Sequence, residues 1–554
     1  MGMPAIELLA ISRPATIRRQ HPMSSIRWGE RVAENDPCNQ GSDPWVKADL
    51  QRAPYGAGNL MKASETRTRP MKTKKTTIQH DTIAARHSII SLGSIWALCG
   101  VLLYASLAGA GGEPDVELAA GDLRRSGTIH LEISCDPAVK EEFETGVALL
   151  HSFFYDEARR RFTEIAASDP KCAMAYWGIA MTWFHPLWAP PTLEERSKGL
   201  AAIATALDIG GESDEERGLI DAAFSYYTAT ETAPRGGGRI AACSCCGPQA
   251  HSARAMAFHA KMEELHRRFP ESVEIACFYA LAKLGTVDPT DKTYTKQKSA
   301  GALLEELLEK NPDHPGIAHY IIHAYDYPEL AHRGLQAARR YDDIAPWVPH
   351  ALHMPTHVYT RLGMWQESID GNIASSLAAR DHSRRYFEGA ATMDDLHAMD
   401  YLMFAYLQTG RDIEARELLK HLDSIRSIVP GNEFASAYAV AAMPARYYLE
   451  TRRWREAASM EPVQRDFVIQ FPFALAHIEF ARAVGAARSG QAAVAEEAVH
   501  ALADLREAVE GSKYLWWAGQ VEIQHLAAAG WLANSKGRLV RAEGFFRRAA
   551  TIED

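Results

Sequence analysis

From about residue 137 onward a pattern of small, small and large residues recurs at helical spacing, and it limits the fold more than any other feature. In the segment GVALLHSFFYDEARRRFTEIAASDP, Ala158 lies twelve residues after Gly146, Phe162 sixteen after it and Pro170 twenty-four after it. Small residues at Gly146 and Ala158 let two helices cross closely. Phe162 fills the space behind the crossing, and Pro170 stops the second helix. Amphipathic helical segments alternate with short breaks, and no strand-like alternation appears.

The same register returns along the chain. It is carried by Tyr325 and Pro346, by Tyr359, Gly363 and Trp365, by Tyr406, Gly410 and Ala415, and by Trp454 and Ala457. Gly530, Gly537, Ala542, Phe546 and Ala549 give its cleanest copy, and Ala300 with Pro312 marks another second helix. Residues 173–299 fit less well, with prolines at 186, 190 and 191 and a Gly/Cys-rich loop at 234–249. This spacing resembles the tetratricopeptide repeat (TPR), a helix–turn–helix unit of about 34 residues. One such unit cannot bury its apolar face alone, so units stack into a superhelix with a concave surface. The expected fold is therefore all-α: a right-handed superhelical array of TPR-like repeats over residues 137–554. No polar capping helix follows the last unit, so a partner covering that end or a truncated chain is expected.

Histidine is concentrated in one stretch of this array. Residues 314–357 hold seven of the 22 histidines, where an even spread would place about two. The pairs His319/His323 and His353/His357 have the four-residue spacing that puts both imidazoles on one helix face, close enough to share a metal ion. In TPR proteins the first helix of each unit faces the groove. The resemblance then assigns His319, His323 and Asp326 to one groove-facing helix and His350, His353, His357 and Arg361 to the next. His397 with Asp400, and then Arg446, follow on later helices. Neutral imidazoles with a carboxylate suit a divalent transition metal, with His319, His323, His353 and His357 as candidate ligands. The same wall with Arg361 and Arg446 suits an anion or a peptide carboxylate. A polar groove hydrogen-bonded within itself, with no ligand, is the third reading. Pro355 falls inside the second pair and is expected to bend that helix or shift its start.

Residues 88–110 form a long uncharged, largely apolar stretch, preceded by Lys72, Lys74, Lys75 and Arg86 and ending in Ala108-Gly109-Ala110. This reads as a secretory signal peptide, with an uncleaved inner-membrane anchor as the alternative. Met71 opens a natural signal start. Residues 71–110 are thus expected to be signal or anchor, 1–70 a disordered extension or a misplaced gene start, and 111–136 a linker. An exported, periplasmic protein is the expectation, touching membrane only if that segment stays attached.

In an oxidising compartment Cys135 and Cys172, at neighbouring ends of antiparallel helices, are candidates for a disulfide. The Cys243-Ser-Cys245-Cys246 loop matches no zinc-knuckle spacing. A net charge of −10 disfavours nucleic acid as a partner. Phosphate-loop, dinucleotide, nucleophile-elbow and zincin motifs are missing, so a binding protein is expected rather than an enzyme.

The phrases LLHSFFYDEA, DPKCAMAYWGIA, HPGIAHYIIHAYDYPELA and PHALHMPTHVYTRLGMW resemble a family of exported bacterial TPR proteins of undefined function. That resemblance implies the fold and export, and supplies no catalytic residues. The expectation is a scaffold that holds a peptide or protein in a His/Asp/Arg-lined groove, or else a metal-binding protein using the same histidines.

Overall fold

A computed structural model describes residues 125–553 apart from 188–189, 230–247, 289–290, 430, 432, 462–465 and 513–515. The expected signal segment at 88–110, the start at Met71 and the CSCC loop lie outside the described residues.

The described chain is built from helices in antiparallel succession. They are α1 (Lys140–His151), α2 (Tyr155–Ser168), α3 (Ala173–Met181), α4 (Leu193–Ile209), α5 (Asp214–Thr228), α6 (Pro248–Arg268) and α7 (Val273–Leu284). Next come α8 (Thr295–Leu308), α9 (Pro315–Tyr325), α10 (Ala331–Ile344), α11 (Pro349–Leu362), α12 (Trp365–Tyr386), α13 (Met393–Gln408) and α14 (Asp412–Ser424). The last are α15 (Glu433–Glu450), α16 (Trp454–Ala458), α17 (Asp466–Ile469), α18 (Pro472–Ser489), α19 (Ala492–Glu510), α20 (Trp516–Ser535) and α21 (Leu539–Glu553). Among the described residues there is no strand, and Ala391 and Ile428 form an isolated bridge. No helix of the described residues is long and apolar enough to cross a membrane.

The spacing read from the sequence is realised as close helix crossings. A Cβ on Gly146 in α1 would lie 2.8 Å from the Phe162 ring in α2, and one on Gly530 in α20 would lie 2.7 Å from the Phe546 ring in α21. Neither helix of such a pair could approach the other with a larger residue there. Gly363 ends α11 in the left-handed region at φ 72°, and its N–H caps the helix on Thr360 O at 3.2 Å. Across 173–299, where the repeat pattern is weakest, the helices persist. Thr192 and Ser213 open α4 and α5 with reciprocal capping boxes to Glu195 and Glu216.

The array also folds back on itself. The strip before α1 runs along α9 and α10: Thr128 N–H donates to Asp313 O at 2.9 Å, and Trp347 Nε1–H donates to Ser126 Oγ at 3.2 Å. Gly127, at φ 88°, leaves no space for a side chain, since a Cβ would sit 2.6 Å from Pro315 Cδ. Cys135 and Cys172 are joined by a disulfide with Cα atoms 4.8 Å apart, tying the strip to the start of α3. One apolar core extends from Ile129 to Tyr359 on α11, and a second from Ile369 on α12 to Ala529.

The Gly146 crossing can be tested directly. Gly146→Leu forces a branched side chain into the Phe162 ring, and overpacking of this kind costs about 1–3 kcal/mol. The expected result is a lower thermal midpoint, partly restored when Phe162→Ala is added. An unchanged midpoint would show that the crossing is not close-packed.

Candidate functional site

Helices α9, α11 and α13 are the first helices of consecutive pairs, and they carry their histidines toward one another. His319 and His350 lie 4.9 Å apart between ring centroids, His353 and His397 4.5 Å, and His350 and His353 6.2 Å. His332 points elsewhere and is exposed. The open groove wall expected for these residues is not what the structure has. His319, His350, His353 and His357 are buried, and His323 and His397 are half-buried. For His319, His323 and His350 the physical reason is the turn between α1 and α2. Phe153, held at φ 55°, sets its ring 4.4 Å from that of His319, 5.6 Å from His323 and 5.5 Å from His350. A left-handed aromatic residue is strained unless its surroundings impose it, and such strain gathers at functional sites.

The histidines form two groups of three. In each group one ring nitrogen per residue lies within 4.8 Å of the others: His319, His323 and His350 in the first, His353, His357 and His397 in the second. In the first group, His319 Nδ1–H donates to the backbone oxygen of His151 at 2.6 Å, which leaves Nε2 as a lone pair. It accepts from His350 Nε2–H at 3.1 Å. His323 Nε2 is buried without a hydrogen-bond partner.

The second group is more constrained. His353 Nδ1 lies 2.8 Å from Asn372 Oδ1, and Asn372 Nδ2 donates to Ser368 O at 2.7 Å, which fixes the amide orientation. His357 Nδ1 lies 2.8 Å from Asp326 Oδ2. Both acceptors are oxygens, so both Nδ1 atoms carry the proton. The two Nε2 atoms then face each other as lone pairs at 2.9 Å. Such an arrangement calls for a shared proton or a cation between them. Tyr401 stacks on the His357 ring with centroids 4.6 Å apart.

Burial disfavours the charged form of five of these rings. Burial, followed by the neighbouring imidazoles, pushes His319, His350, His353 and His397 well below the usual histidine range, and His323 down to about 3. Burial opposes ionisation of Asp326, yet His357 and Arg361 outweigh it and hold the carboxyl low. Neutral imidazoles oriented by oxygens behind them are the donor set that transition metals take.

Several sequence expectations change place. Asp326 is the residue that ends α9, and it accepts from His357 rather than facing a ligand. Arg361 Nε–H donates to Asp326 Oδ1 at 3.1 Å, so it steadies that carboxylate rather than gripping an anion. Arg446 donates to Asp400 in a buried pair between α15 and α13, which occupies both expected groove residues with each other. Pro355 lies within α11, which runs unbroken from Pro349 to Leu362, so the histidine pair keeps one face. Asn372 had no signal in the sequence, because it projects from the second helix of its pair.

A third buried set is complete in itself. Glu274 accepts from His151 Nε2 at 2.8 Å and from His314 Nε2 at 2.9 Å. His151 Nδ1 meets Tyr320 OH at 2.9 Å, and His314 Nδ1 accepts from Ile317 N–H at 3.2 Å. Every ring nitrogen has a partner, so this set needs no ion and serves to hold α1, α7 and α9 together.

Two measurements test this geometry. Phe153→Ala uncovers the first group, so carbethoxylation of His319, His323 and His350, read by peptide mass spectrometry, should accelerate while that of His477 does not. Equal rates in the two proteins would mean Phe153 does not shield them. At the start of α13, burial and then the charge of Asp156 push Asp394 up to about 7, against the opposing pull of His382. An unfolded aspartate titrates near about 3.9. The folded chain therefore holds the extra proton between these values, and stability falls as pH rises from about 4 through 7. Asp394→Asn should raise the thermal midpoint at pH 8 and leave it unchanged near pH 4. A pH-independent effect would contradict the shift.

No family model matches this chain, and no curated protein matches it. Among solved structures it is similar to a human IFIT1 dimer with PPP-AAAA, at 12% identity over 74% of this chain and 72% of that one, with a TM-score of 0.28. It is similar to the APC/C Cut9–Hcn1 hetero-tetramer at 10% identity, over 82% of each chain, with a TM-score of 0.31. It is also similar to the P58(IPK) TPR domain at 10% identity, over 75% of this chain and 98% of that one, with a TM-score of 0.19. These scores are too low to carry an argument. The fold rests on the helix pairs themselves, whose small-against-aromatic crossings recur from α1/α2 to α20/α21. The described chain is a TPR-like helical-repeat scaffold, an architecture suited to binding proteins or peptides.

Proposed function

We propose that this chain is an exported TPR-type protein whose buried histidine cluster binds a transition metal. The observation that carries the reading is the pair His353 and His357. Their Nδ1–H groups are committed to Asn372 and Asp326, and their Nε2 lone pairs meet at 2.9 Å. A proton shared between them would use these two lone pairs alone, whereas a metal ion would also take the third imidazole, His397, beside them.

Export is supported by the Cys135–Cys172 disulfide, since such bonds persist in oxidising compartments. The alternative, a peptide held on the same histidine wall, has weaker support. The first histidine group is covered by Phe153, and the Asp and Arg residues that would grip a peptide are paired with one another or with histidine. Protein partners are left to the other faces of the scaffold.

Tag-free protein should retain a stoichiometric transition metal through gel filtration, or take one up on titration. Binding should stabilise the fold by about 2.7 kcal/mol at a ligand excess of a hundredfold over Kd. The double variant His353→Ala/His357→Ala should abolish the thermal shift. If zinc, nickel and copper all leave the wild-type midpoint and metal content unchanged, the reading is wrong.

A further inference from the structure

The cluster holds more donors than one ion can use. Six imidazoles are divided between two groups, and within each group the ligand nitrogens lie within 4.8 Å of one another. The groups are neighbours, because α11 supplies members of both: His350 to the first and His353 to the second, with ring centroids 6.2 Å apart. Each centre has at least one ring oriented from behind by oxygen. His319 is held by the His151 carbonyl, His353 by Asn372 and His357 by Asp326.

We propose that the cluster holds two copper(I) ions side by side, one on His319, His323 and His350 and the other on His353, His357 and His397. This rests on the metal-binding reading above and specifies its stoichiometry and ion. Spacing is the first support. Nitrogens around one ion at about 2.0–2.1 Å lie roughly 3.3–3.5 Å from each other. The facing Nε2 pairs are at 3.1 Å and 2.9 Å, so a few tenths of an ångström of opening, with the His350 proton moved to Nδ1, admits an ion to each. His323 Nε2, buried without a partner, supplies a third donor to the first centre.

Charge selects the ion. Imidazole binds a metal as a neutral ligand, and the one carboxylate behind the six rings, Asp326, is balanced by Arg361 at 3.1 Å. Two divalent ions would bring four positive charges into a buried site with no net anion to meet them, and uncompensated buried charge is strongly disfavoured. Two monovalent copper ions halve that charge, and imidazole is a good ligand for copper. The fully paired His151–Glu274–His314 set offers no lone pair and is excluded as a third centre.

The test is an anaerobic titration of the tag-free full chain with copper(I) against bicinchoninate, with X-ray absorption on the loaded protein. Two equivalents per chain are expected, each with three nitrogen donors and no sulfur. His323→Gln and His397→Gln lie at half-buried positions, so they disturb the core least. Each should remove one equivalent and leave the other, with the apo thermal midpoint as a check on folding. A single equivalent shared by all six residues, or displacement of copper(I) by equimolar zinc, overturns this inference while the metal-binding function stands. Uptake of no ion of any kind overturns both. Sulfur in the copper shell overturns the assignment of ligands.

Discussion

Two imidazoles whose Nδ1–H groups are already given to oxygen have no proton of their own to put between them while both are neutral, yet His353 and His357 are pressed together at 2.9 Å. Everything around the site maintains that opposition. Asn372 is locked by Ser368, Asp326 is locked by Arg361, and Tyr401 lies flat against the His357 ring. A buried polar group without a partner is costly, so an arrangement that turns two lone pairs on each other points to something that joins them.

The repeat supplies the framework for this. Small residues opposite aromatic ones draw each helix pair tight, and the first helices of successive pairs then stand close enough for rings from α9, α11 and α13 to meet. The site also spans the break between the two apolar cores, since α11 ends one and the apolar residues of α13 belong to the other. Binding there would bridge the halves of the array. The return of the α1–α2 turn onto α9 adds the dry cover, and the His151–Glu274–His314 network anchors that return. His151 serves both, closing the network with its ring and orienting His319 with its carbonyl.

Much of this framework is legible in the amino-acid sequence. The spacing Gly146–Ala158–Phe162 announces helix pairs. The four-residue histidine spacings announce shared faces, and the repeat register names α9, α11 and α13 as the elements that carry them. The partners of the charged residues are not legible in the same way. Arg361, Asp400 and Arg446 have the composition of a ligand-gripping wall, but each guanidinium is paired with a carboxylate of the chain itself. Asn372 escapes notice because it lies on a packing helix, where a polar residue has no periodic signature.

By itself the sequence determined the all-α repeat, its register and which helices carry the histidines, because these depend on local periodicity and on residue size at fixed spacings. Only the tertiary structure decided that the histidines are enclosed rather than exposed on a groove, because the cover of the first group, Phe153, comes from a turn about 165 residues earlier in the chain. It also decided which nitrogen of each ring is committed and which is left to bind, because that depends on oxygens contributed by α12, by the end of α9 and by the backbone at His151. Contacts between residues so far apart leave no periodicity to read.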